Sequence, residues 1–128
     1  MAQGVITEIG RKKLCKAHAG DMALSKITQM AFGSGGVDAD GNVIEPIGTE
    51  KGLKKELLKK KVDGHSYVND QETTCRYTVR LGKSELVNES ISEQGLFDAA
   101  GDLIAYKTFL PKGKDGDMEF VFDMDEVF

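Results

Sequence analysis

An α+β fold, a mostly antiparallel β-sheet or sandwich with a short N-terminal helix and a second short helix, is what the sequence predicts from three observations. The first is a pair of arms, Ile91 to Phe97 and Leu103 to Ala105, whose apolar residues flank the break Asp98-Ala99-Ala100-Gly101. The second is strict alternation in Thr73–Leu81 and Met118–Met124, the period of a half-buried strand. The third is fifteen glycines against two prolines, a balance that suits many turns. At 128 residues the chain is long enough to bury a core without staples, so residues 1–128 form one domain.

The element with the clearest local chemistry is the hairpin built on Gly95, Leu96, Phe97, Asp98 and Gly101. Asp98 suits a side-chain bond to the backbone two residues on, Ala99 and Ala100 suit a type I turn, and Gly101 supplies the positive φ of a closing bulge. That glycine sets the register. A slip by one residue would turn Leu96, Ile104 and Tyr106 from core to solvent.

In chain order, Thr7 caps a helix from Glu8 to about Ala19, with Ile9, Leu14 and Ala17 as its apolar stripe and Gly20 at its end. Arg11, Lys12, Lys13 and Lys16 then face water. Leu24–Phe32 is rich in β-formers and reads as a strand ending at Gly33-Ser34-Gly35-Gly36. Residues 37–48 read as an exposed loop. Thr49 opens the second helix, with Leu53 and Leu57 on one side and Lys54, Lys55 and Glu56 on the other, and Lys59–Asp63 leaves it as a strand. Cys75, Tyr77, Val79 and Leu81 point inward from the next strand. The second hairpin arm runs from Asp102 to Leu110 and stops at Pro111, and the last strand carries Met118, Phe120, Phe122 and Met124 on one face.

Composition excludes several function classes. A net charge of −4 argues against nucleic-acid binding, which wants a clear excess of Lys and Arg. No window holds the roughly eighteen apolar residues of a membrane span, and Met1–Gly10 lacks the basic start and apolar core of a signal peptide, so a soluble product without membrane contact is expected. Charge is unevenly spread: six lysines lie between Lys51 and Lys61 and six acidic groups between Asp115 and Glu126. Such blocks pair with each other, pair with neighbouring copies, or form two solvated faces.

Candidate chemistry is thin. Cys15 and Cys75 make neither a CxxC pair nor a disulfide framework, and His18 and His65 have no nucleophile or carboxylate at a motif spacing. The Gly33–Gly36 cluster lacks the Lys-Ser/Thr of a phosphate loop. Asp38-Ala39-Asp40-Gly41-Asn42 opens like a calcium loop, but Val43 and Thr49 stand where its glycine and glutamate belong, so a tight Asp-Gly-Asn turn accounts for it better. No catalytic, cofactor or metal residue is therefore assigned, and no cofactor is expected.

Four blocks in order, Thr7-Glu8-Ile9-Gly10 with Leu14, Ile27 to Gly35, Thr49 with Leu53 and Glu56-Leu57, and Ile91 to Asp98 with Gly101 to Ala105, give the chain a specific likeness. It resembles the N-terminal domain of bacteriophage tail-collar or tail-fibre proteins, also found in P2-like phages and phage-tail-like bacteriocins. Ser34, Ser92 and Gln94 depart from that pattern, standing where an aspartate, a basic and an aliphatic residue are usual. The resemblance implies a structural protein of a virion tail or phage-tail-like particle, made in the bacterial host cytoplasm. It would attach a fibre to the tail baseplate and contact baseplate proteins and other fibre subunits, as a homo-oligomer, a trimer by resemblance. The expected contact surface comprises Thr7, Gly33 and Gly35, together with the terminal Glu126, Val127 and Phe128, whose apolar side chains need covering. A free-standing assembly module for longer fibres is the alternative, with a small metal-dependent enzyme behind it.

Overall fold

The computed structural model describes residues 4–128. Two antiparallel sheets face each other. The larger contains β1 (Val5–Ile6), β2 (Ile27–Gly33), β3 (Glu56–Lys61), β6 (Ser90–Asp98) and β7 (Leu103–Gly113), in the order β1-β7-β6-β2-β3; the smaller contains β4 (Gly64–Tyr67), β5 (Thr74–Leu81) and β8 (Phe120–Val127), in the order β4-β5-β8. One helix, α1 (Glu8–His18), follows β1. The α+β reading with a short N-terminal helix is thus what the chain adopts.

The hairpin turn forms as its residues dictate. Gly101 has φ +89 and its N–H donates to the Asp98 carbonyl at 2.9 Å. Asp98 Oδ1 accepts from the N–H groups of Ala100 and Asp102 at 3.1 and 3.0 Å. A β-branched residue resists that backbone by about 1–3 kcal/mol, whereas Gly116 has no left-handed φ. Gly101→Val is therefore expected to lower the melting temperature clearly more than Gly116→Val. Equal melting temperatures would contradict this assignment of the turn.

Between the sheets lies the main core, formed by residues such as Met30, Phe32, Val79, Leu81, Leu96 and Phe122, with the Phe32 and Phe122 ring centroids 5.0 Å apart. Alternation on β5 and β8 supplies the inward side chains of the smaller sheet. On the other face of the larger sheet Ala31, Phe97, Leu103 and Tyr106 cluster beneath Val5 and Leu53. β6 is consequently buried on both faces from Ile91 to Asp98. The expected core-and-solvent division of the hairpin is corrected here: Leu96 lies in one core and Tyr106 in the other, because segments on either side of the sheet cover both.

The second short helix is absent. Residues 49–55 run as turns and bends and then enter β3, so Leu53 and Leu57, four apart like helix neighbours, reach the fold from irregular chain and from a strand. Two tertiary facts outweigh the helical spacing: β3 bonds along β2, with Ala31 opposite Lys59, and the Lys54 and Lys55 N–H groups are taken by a distant carboxylate. Lys13 is the second correction. It is 8% exposed, and its ammonium lies 2.5 Å from Asp98 Oδ2 and 2.6 Å from Asp102 Oδ2. Neither Pro111 nor Leu110 ends β7, which continues to Gly113; Pro111 is tolerated where no ladder N–H is required of it. The Asp38 turn matches expectation, with Oδ1 accepting from Asp40 and Asn42 N–H at 2.9 and 3.0 Å.

Candidate protein-contact surface

Three of the residues expected at the surface hold the fold together instead. Thr7 is fully buried. As the α1 cap its hydroxyl accepts from Gly10 N–H at 3.1 Å and donates to the Leu103 carbonyl at 2.6 Å, while its N–H bonds the Ile104 carbonyl at 2.8 Å. Gly33 and Gly35 lie against Glu93, where a Cβ would meet its Oε2 at 2.5 and 2.7 Å.

Glu93 is a residue the sequence did not single out. It is fully buried, and its carboxylate accepts four hydrogen bonds: from Tyr106 Oη at 2.6 Å and Lys54 N–H at 2.9 Å on Oε1, and from Gly35 and Lys55 N–H at 2.8 Å on Oε2. One side chain of β6 thereby fastens the glycine loop and the segment before β3. Burial first, then the neighbouring Glu93 carboxylate, pushes the Tyr106 hydroxyl far above its ordinary pKa, so it stays a donor. Next to this, Gly36 N–H donates to Ser92 Oγ at 2.9 Å. A Cβ on Gly36 would meet the Ser92 carbonyl oxygen at 1.9 Å, so only glycine permits that approach. Ser92, which departs from the family pattern, is hence a ligand for this loop.

The apolar surface lies at the other end of the domain. Val127 and Phe128 are 67% and 61% exposed, Tyr67 57% and Leu24 52%. Tyr67 pairs with Cys75 across β4 and β5, and Phe128 N–H donates to the Thr73 carbonyl, so the ends of β4 and β8 lie at one end of the smaller sheet, on either side of β5. Leu24, Tyr67 and Phe128 edge a groove of about 620 Å³ running beside α1, with Leu14, His65 and Tyr77 further in. Large apolar side chains grouped around a concave surface are a mark of contact sites. Tyr67 and Val68 carried no signal in the sequence, and neither did Leu24, which looked like part of a strand that in fact begins at Ile27.

Glu126 belongs to the terminal trio but is only 7% exposed, and burial raises its carboxyl pKa, with a hydrogen bond from Tyr77 only partly opposing. A carboxyl whose folded pKa is raised contributes stability that is present below its unfolded pKa and lost as pH rises through the folded one. Glu126→Gln is accordingly expected to raise the melting temperature at pH 7, a gain that vanishes near pH 4. A gain of the same size at both pH values would contradict that origin. Among the described residues no three His, Cys, Asp or Glu side chains converge as a metal site requires.

A family model described as phage tail-collar fibre protein, N-terminal, matches residues 1–115. The match takes in the hairpin, Glu93 and the glycine loop and stops before β8. No curated protein and no solved structure matches the chain.

Proposed function

This chain belongs to the phage tail-collar fibre family, in its N-terminal region, and from that premise we propose that it joins a tail fibre to the tail baseplate by protein contact. Membership makes it a structural phage tail protein located in the virion tail, in contact with other tail proteins. The observation supporting an attachment role is the grouping of the exposed apolar side chains Leu24, Tyr67 and Phe128 around one groove. Covering it requires another protein surface, supplied by a baseplate subunit or by sister chains in a trimeric fibre.

Phage tails assembled with the Leu24→Ser, Tyr67→Ser, Phe128→Ser triple variant test this. All three side chains are more than half exposed, so the variant is expected to fold and to be missing from purified tails, as electron microscopy and gel analysis would show. Tails that retain a full complement of the variant and of fibres would refute the attachment role of this surface.

A further inference from the structure

The smaller sheet has three strands under a sheet of five, and β8, one of its two edge strands, has no strand on its outer side among the described residues. Phe128 N–H bonds Thr73, and the register runs unbroken from Thr74 opposite Val127 to Leu81 opposite Phe120. Even-numbered residues of β8 therefore bond β5, and Val121, Asp123 and Asp125 turn their N–H and C=O groups away from it. Among the described residues the only hydrogen bond found at that edge is from Gln94 Nε2 to the Asp123 carbonyl, at a long 3.4 Å. Beside the edge, a cleft of about 960 Å³ opens between β8 and β7, with Phe109, Leu110, Phe120 and Phe122 among its lining residues. Leu110 and Val121, at 65% and 62% exposed, flank it.

We propose that this cleft is a strand-addition site, which takes one extended segment of a partner polypeptide as a fourth strand of the smaller sheet, with apolar residues alternating with basic ones. Main-chain bonds to a free edge supply affinity, and pockets for alternate side chains supply selectivity. β5 shows what β8 accepts as a neighbour: Arg76 opposite Asp125, with guanidinium bonds of 2.9 and 3.1 Å, and Thr78 opposite Asp123 at 2.7 Å, while Tyr77 and Val79 point to the core side. The outer edge presents the same Asp123 and Asp125 to the incoming strand. A second copy of β8 is disfavoured, because the antiparallel register setting Val121 against Val127 sets Asp123 against Asp125, and directly opposed like charges destabilise a sheet. The source of the segment in a tail rests on the reading above, but the binding itself does not.

The probe is a fluorescein-labelled octapeptide, Arg-Val-Thr-Val-Arg-Val-Thr-Val amide, titrated with the full chain by anisotropy. Saturable binding is expected, at least tenfold weaker for the peptide with Glu in place of Arg. Val121→Pro removes an N–H that β5 does not use, so it should leave the melting temperature within a few degrees and weaken binding at least tenfold. Asp123→Lys should reverse the preference between the basic and acidic peptides, and it decides the matter should the proline variant fail to fold. Unchanged binding to a folded Val121→Pro, or equal affinity for the two peptides, overturns the site. So does binding that appears only after removal of residues 1–3, or a dimer in light scattering that Val121→Pro abolishes, since the occupant would then be the chain itself. None of these outcomes bears on the Leu24, Tyr67 and Phe128 surface, which lies at the opposite end of β8.

Discussion

Glu93→Ala is expected to destabilise the domain by about 3–5 kcal/mol, read as the loss in urea unfolding free energy, because it strands a fully buried tyrosine hydroxyl and three partly buried backbone donors and empties a buried site. Tyr106 Oη and the N–H groups of Gly35, Lys54 and Lys55 all end on this carboxylate within 2.9 Å. Truncation removes their acceptor and leaves a cavity too. Glu93→Gln separates the two effects. It fills the space but retains a single acceptor oxygen, and its amide group turns donors toward two of the four donors, so about half the loss should remain. Tyr106→Phe removes one donor and should cost about 1 kcal/mol. A Glu93→Ala protein within 1 kcal/mol of the parent would show that solvent satisfies those groups and that the carboxylate does not organise the loops.

The same residue marks where sequence reasoning stopped. Local signals were sufficient where one turn or one period decides the structure. Asp98 and Gly101 specify their turn within four residues, Thr7 caps α1, and Cys75 to Leu81 alternate because one face meets the core. Leu53 and Leu57 were ambiguous because a spacing of four suits a helix face, and the arbiter was non-local: Glu93 lies 39 and 38 residues from the two N–H groups it binds. Nothing at Lys54 or Lys55 announces that.

Charged side chains misled for a related reason. A lysine is ordinarily solvated, and nothing in the sequence sets apart Lys13, read on a helix, or Lys59, read at the start of a strand. In the fold, Lys59 Nζ lies 3.7 Å from the Phe97 ring centroid, where the ring face attracts the cation, and Lys13 is enclosed by the hairpin turn. Apolar exposure was legible at Val127 and Phe128, apolar residues in a polar tail. It was not legible at Leu24 and Tyr67, which reach the same end of the sandwich only through sheet topology. Gln94, which stands where the family pattern has an aliphatic residue, reaches the edge of β8, again a contact between the two sheets.

Lys13→Ala is expected to cost about 3–5 kcal/mol, since removing one partner of a buried ion pair leaves the other charge without compensation. Asp98 is the charge at stake: its side chain is 1% exposed, and its Oδ1 is already committed to the turn amides of Ala100 and Asp102. Asp102, 46% exposed on its side chain, keeps water as an alternative partner, so Asp102→Asn should cost no more than about 1 kcal/mol. The contrast between two carboxylates on one ammonium is the control. Burial works against the charged ammonium of Lys13, but the hydrogen bonds of Asp102 and Asp98 and their charges outweigh it and raise its pKa above the ordinary 10.5. A lysine with a raised folded pKa contributes stability that is fully present below the unfolded value and lost as pH rises through the folded one. The gap in urea midpoint between the parent chain and Lys13→Ala should thus be full at pH 7 and begin to narrow only above about pH 10.5. A gap under 1 kcal/mol at pH 7, or one already narrowing between pH 7 and 9, would show that helix α1 is held to the hairpin by packing and not by this pair.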